Sequence, residues 1–186
     1  MSTVPAGRID AWIKQLRREL PLSDVIERVS MRLRTADTVD QYDLAFYLVL
    51  LLTEVGRYQD AAGHIDQMIE RFPDDVRFPI SKSSHYLYYL PDLDEALKCI
   101  DFALQRAFRT GFFRREALGV KARILLQLGR GDQLSRVLDE IMSLQMIDGI
   151  PDIGRERDFV DRAPPGLIEE DVAMRYNQFR PKRAGD

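Results

Sequence analysis

Residues 56–73 constrain this chain more than any other stretch. They read Gly-Arg-Tyr-Gln-Asp-Ala-Ala-Gly-His-Ile-Asp-Gln-Met-Ile-Glu-Arg-Phe-Pro, with glycine, tyrosine, alanine and proline where a hairpin of two helices needs them. Gly56 can close one helix in a left-handed turn, a conformation that costs other residues a Cβ clash. Tyr58 can fill the wedge between that helix and the next, Ala61 lets the two backbones approach, and Pro73 marks the stop.

The pattern returns 35 residues after Ala61, in Leu93-Asp94-Glu95-Ala96, where Leu93 takes the wedge position and Ala96 the small one. Pro91 stands in the turn in place of glycine, and Ala103 holds a second small position that Met68 fills less well in the preceding copy. A third copy can be laid over residues 115–143, with Ala122 at the small position of its first helix and Gly129 at the turn. It departs from the pattern twice: Leu134 stands where a small residue is expected, and Gly131 where the wedge is expected. The offset from Ala96 to Leu134 is 38 residues, and the extra length falls in residues 108–115, which are expected to form a loop on one edge.

Apolar periodicity supplies the helices themselves. Ile9, Ile13, Leu16 and Leu20, with Trp12 alongside, recur at helical spacing up to Pro21. Ser23 or Asp24 is expected to cap a second helix whose apolar line is Ile26, Val29 and Leu33, with Met31 to one side. Asp40 is expected to open the first copy, whose inward faces are Ala45, Leu48, Val49 and Leu52, then Ala61, Ile65, Met68 and Ile69. Residues 148–162 are broken into turns by Gly149, Pro151 and Gly154, and Pro164-Pro165 is expected to hold a short extended segment. Ile168, Val172, Tyr176 and Phe179 then form one stripe ahead of a basic tail of Arg180, Lys182 and Arg183.

The spacing over residues 42–143 resembles the tetratricopeptide repeat family, helix-turn-helix units of roughly 34 residues that stack side by side. The resemblance implies an all-α fold, a right-handed superhelical α-solenoid of antiparallel helix pairs with flanking N- and C-terminal helices. Residues 1–41 would be an N-terminal pair, a cap or a degenerate repeat. The repeats would run over about 42–75, 77–110 and 115–145, and residues 146–186 would hold an irregular linker, a C-terminal helix and the tail. A stack of repeats ends in an open apolar face. The stripe from Ile168 to Phe179 is suited to covering that face, to contacting a second subunit, or to occupying the peptide groove.

In that family the first helix of each repeat lines a concave groove for a peptide. Carried over, the groove residues are Asp43, Phe46, Leu50 and Thr53 from the first repeat, Ser81, His85, Tyr88 and Tyr89 from the second, and Gly119, Arg123 and Gln127 from the third. Phe46 and Leu50 stand where some members hold a chain-end carboxylate with Lys and Asn, so that clamp is not expected. The resemblance implies a non-enzymatic adaptor or chaperone-like binder whose partner is another protein or peptide segment, with self-association into a homo-oligomer also open. A secretion-chaperone-like role, or a helical accessory or regulatory subunit of an enzyme, is the alternative.

Composition narrows the function classes. Of 186 residues, 27 are Lys or Arg and 30 Asp or Glu, a net charge of −3 that does not suit a dedicated nucleic-acid binder. Charge is uneven all the same: residues 37–75 carry nine acids against two arginines, and residues 106–123 six Lys or Arg against one Glu. The most apolar run, residues 44–55, is too short for the ~20 residues that cross a bilayer, so no membrane insertion is expected. Cys99 is the one cysteine and the N-terminal residues lack the apolar core of a secretory signal, which together suggest a cytoplasmic protein. His64 and His85 lack a second His or a Cys near them, and no phosphate loop or nucleophile elbow occurs. The paired acids Asp74-Asp75 and Glu169-Glu170-Asp171 sit where helix ends favour them. No catalytic, cofactor or metal site is expected.

Overall fold

In the computed structural model, residues 8–110, 113–144, 146–147, 150–151 and 160–178 are described. Phe179, the basic tail and residues 152–159 of the turn-rich stretch lie outside them. Among the described residues the fold is all-helical apart from one two-residue pairing, and within each of its two units helices next to one another in the chain pack together. The chain divides into two compact units, Met1–Pro73 and Asp74–Asp186.

The first unit holds α1 (Arg8–Glu19), α2 (Leu22–Thr35), α3 (Thr38–Glu54) and α4 (Tyr58–Arg71). Each packs on the next, and α1 also reaches α3. Ile9, Ile13 and Leu16 of α1 and Val25, Ile26, Val29 and Leu33 of α2 are buried, as their spacing requires, while Met31 projects into solvent. The Arg32 guanidinium lies 4.6 Å from the centre of the Trp12 ring, and Tyr47 donates to Asp10 at 2.6 Å, tying α3 to α1. That bond pushes the Tyr47 phenol up to about 12.

Two caps differ from expectation. The Pro21 carbonyl receives the amides of Asp24 and Val25 at 3.0 and 3.1 Å, so α2 starts at Leu22 and neither Ser23 nor Asp24 caps it. Asp24 instead lies in the first turn, where the helix dipole favours an acid. Asp37, not Asp40, caps α3: its carboxylate accepts the Asp40 amide at 3.0 Å. The helix expected to open at about residue 42 therefore begins four residues earlier, at Thr38. At the other end of α3 Gly56 has φ of +77°, with the Gly56 amide bonded to the Thr53 carbonyl and the Arg57 amide to that of Leu52. This double closure needs the left-handed residue that the sequence supplies.

The second unit holds α5 (Arg77–Tyr88), α6 (Leu93–Thr110), α7 (Arg114–Gln127), α8 (Gly131–Leu144), β1 (Met146–Ile147), β2 (Ile150–Pro151) and α9 (Glu170–Gln178). Consecutive helices from α5 to α8 pack together, α5 also meets α7, and α9 packs on α8. Gly129 repeats the Gly56 closure at φ +66°. The Pro91 turn is built differently: the Leu90 amide bonds the His85 carbonyl, and Asp92 caps α6 by accepting the Glu95 amide at 2.9 Å. Ala96, Ala103 and Ala107 are wholly buried along α6, and Ser83 Oγ donates to the Ala96 carbonyl at 2.7 Å. The expected loop at residues 108–115 is mostly helix, because α6 continues to Thr110 and α7 starts at Arg114 after a left-handed Phe113.

β1 and β2 pair antiparallel, Met146 opposite Pro151 and Ile147 opposite Ile150, where only turns were expected. Pro164-Pro165 is likewise not extended. The Leu167 amide bonds the Pro164 carbonyl at 3.1 Å and Gly166 has φ of +77°, a turn with proline and glycine at its two central positions. From that turn the chain lies on α8. Ile168, Val172 and Tyr176 are buried, the Glu169 amide donates to Ser135 Oγ at 2.9 Å, and the Tyr176 hydroxyl donates to the Leu138 carbonyl at 3.0 Å. Of the three roles open to this stripe, the structure shows it covering its own α8.

Candidate functional site

The candidate groove residues fall on three helices. On α3, Asp43 is exposed and Phe46 is half-buried with its ring 5.1 Å from that of Tyr42. Leu50 is 61% exposed, and Thr53 turns its hydroxyl back to the Val49 carbonyl at 2.8 Å. The spacing of 43, 46, 50 and 53 places them along one side of α3.

On α5, Ser81 is half-buried, while Tyr88 and Tyr89 are 51% and 44% exposed. His85 is only 3% exposed. It does not line an open groove; because α5 is covered by both α6 and α7, position 85 lies inside, and its ring lies 5.1 Å from that of Tyr89, tilted by 44°. Tyr88 and Tyr89 meet edge to face at 6.4 Å, an arrangement aromatic rings favour. On α7, Gly119 is half-buried, and Arg123 and Gln127 are exposed.

Arg123 Nη1 donates to the Tyr88 hydroxyl oxygen at 2.7 Å, across 35 positions of sequence. The offset between these two helices is the 38 residues from Ala96 to Leu134, so Arg123 is the counterpart of His85 and its bond reaches the next turn of α5. Spacing alone does not pair the two residues; the contact depends on how α5 lies against α7. Tyr88, Tyr89, Arg123 and Gln127 thus form one surface on the second unit, with the residues of α3 forming a separate one on the first.

Part of the basic run on α6 and α7 is paired locally. Arg114 pairs with Glu140, Lys121 with Asp101 at 2.7 Å, and Arg106 lies over the Phe102 ring at 4.1 Å. Arg123 has no acidic partner among the described residues. In the acidic run, Glu54, Asp60 and Asp75 are held by Arg17, Arg57 and Arg77.

Sequence reading assigned nothing to the cleft between α1 and α2, about 720 Å³, which Trp12, Glu27, Arg28, Met31 and Arg32 help to line. Trp12 and Met31, standing off the apolar lines of α1 and α2, were its signs. Burial lowers the pKa of His64 and outweighs Asp60, one helical turn before it, which acts the other way. Among the described residues no group of three or more His, Cys, Asp or Glu is placed to hold a metal ion, and no helix is long and apolar enough to cross a membrane.

The class these features define is structural: an all-helical protein whose alternate helices α5 and α7 present exposed tyrosines beside an arginine with no acidic partner among the described residues. No family model, curated protein or solved structure matches the chain.

Proposed function

We propose that the chain is a tetratricopeptide-like solenoid acting as a non-enzymatic adaptor or chaperone-like binder in the cytoplasm. It holds a segment of another protein against the first-helix faces of its repeats. The observation that carries the reading is the Tyr88-Tyr89-Arg123 surface: two large rings left about half in solvent next to a guanidinium, on helices that meet as successive first helices would. Tyrosine and arginine are the residues that most often anchor a partner, because they bury large areas at a modest entropic cost. The contacts of α1 with α3 and of α5 with α7 support the repeat architecture.

The test compares three substitutions. Tyr89→Ala and Arg123→Ala should each reduce retention of the partner, identified by mass spectrometry after co-purification from the native cell, by about ten-fold or more. Their melting curves should stay close to the parent's. Leu87→Ala should instead cost about 2–5 kcal/mol of stability, since Leu87 is buried. Equal destabilisation by all three would place the tyrosine region in the core and overturn the reading.

A further inference from the structure

We infer that the Tyr88-Tyr89-Arg123 surface recognises an Asp or Glu side chain inside the bound segment, adjoining an aromatic or branched apolar residue. This rests on the reading of the face as a peptide-binding surface and adds its chemistry. Arg123 Nη1 donates to Tyr88 Oη. A phenolic oxygen that accepts a bond keeps its own hydrogen to donate, and a guanidinium has no acceptor at all. The pair therefore offers only donors to whatever approaches: one O–H and the remaining N–H groups of the arginine fork. A carboxylate, which only accepts, is the group that satisfies such an array, and bonds to a guanidinium are the stronger, charge-assisted kind.

No carboxylate of the described residues takes this place, although the neighbouring cations Arg114 and Lys121 both have theirs. The bond to Tyr88 also orients the Arg123 side chain before a ligand arrives, which reduces the ordering cost of binding. Beside the array the Tyr89 ring is held between Tyr88 and His85 and leaves 44% of the residue exposed, a site for an apolar neighbour of the acid. Gly119, Arg123 and Gln127 follow one another at helical spacing along α7, a run of about 12 Å. A segment laid along it continues past Arg123 in both directions, which fits an internal carboxylate rather than a chain end.

Fluorescence anisotropy on the full chain tests this with three labelled decapeptides. The first, blocked at both ends, alternates Glu with Leu and Phe; the second replaces each Glu by Gln; the third is the Gln peptide with a free C-terminal carboxylate. The Glu peptide should bind saturably, at least about ten-fold tighter than either Gln peptide, and less tightly as salt is raised. Arg123→Gln should abolish the preference for Glu and Tyr88→Phe should reduce it, with melting curves unchanged. If the blocked Glu and Gln peptides bind alike, or Arg123→Gln leaves the preference intact, the carboxylate inference falls and peptide binding stands. Preference for the free-end peptide would make the target a chain terminus and overturn the internal assignment. If no peptide binds at about millimolar concentration, both readings fall.

Discussion

The α5–α6 and α7–α8 pairs share one plan and differ in what lies against their second helix. Along α6 the seam is small: Ala96, Ala103 and Ala107 are wholly buried, and Ser83 reaches the Ala96 carbonyl. At the offset of 38 residues α8 has Leu134 in the place of Ala96 and Ile141 in that of Ala103, with Gly131 in the wedge place of Leu93. A Cβ built on Gly131 would stand 2.2 Å from the Leu167 carbonyl oxygen, so the place of the wedge side chain is taken by the backbone of the C-terminal segment. Leu134 is buried in the same apolar cluster as Ile168, Val172 and Tyr176. Gly131, one of the two departures from the pattern, is thus fitted to the C-terminal segment. A pair packed against another pair keeps the small residues; the last pair meets a single strap of chain and follows local rules of its own.

The largest effect that bears on this difference comes from truncation after Ala163. It uncovers α8 and removes Ile168, Val172 and Tyr176, each contributing about 1.5–3 kcal/mol by burial, part of which ordering the segment offsets. A lower melting point and association on size-exclusion chromatography are expected; a truncated chain identical to the parent in both would remove the distinction between the pairs. Next come two mirror changes followed by denaturant unfolding. Leu134→Ala should cost about 2–5 kcal/mol through the cavity it leaves. Ala96→Leu should cost about 1–3 kcal/mol by overpacking. If Leu134→Ala is neutral, Leu134 is a poor repeat residue and not one fitted to its surroundings.

Gly131→Ala sharpens the comparison at about 1–3 kcal/mol, because the clash is with backbone and the segment must shift as a whole. Hydrogen exchange should quicken in α9 and stay slow in α6; equal quickening in both would show that the strap and the small seam are one cooperative structure. Tyr176→Phe is the smallest change. It keeps the buried ring and loses the 3.0 Å bond to the Leu138 carbonyl, about 1 kcal/mol by thermal melting.

What the sequence made legible follows from how local each signal is. Gly56 and Gly129 announced their turns because a left-handed residue with no Cβ has few other uses. Helix faces were readable from spacing, as Val29, Leu52, Ile65 and Ala96 show. The start of α3 was misplaced because Asp37 and Asp40 are both good caps three residues apart, and only the bond between them decides which one serves. The β1–β2 pairing was missed although Asp148-Gly149, a dipeptide favoured between paired strands, lies between its residues. His85 was assigned to the surface because its burial depends on α7, a helix nearly thirty positions further along the chain. At the candidate site the sequence named Tyr88, Tyr89 and Arg123 separately, and the bond that joins two of them required the fold.

The chain's one tryptophan, Trp12, lies beneath Arg32 in the first unit, and its one cysteine, Cys99, is buried in α6 of the second. Each half therefore carries a native reporter that the other lacks. Indole emission follows the loosening of α1 from α2, while the rate at which a thiol reagent reaches Cys99 follows the opening of the second half. Coincident midpoints in one denaturant series would mean that the halves melt as a single cooperative body, and separated midpoints that each half melts on its own.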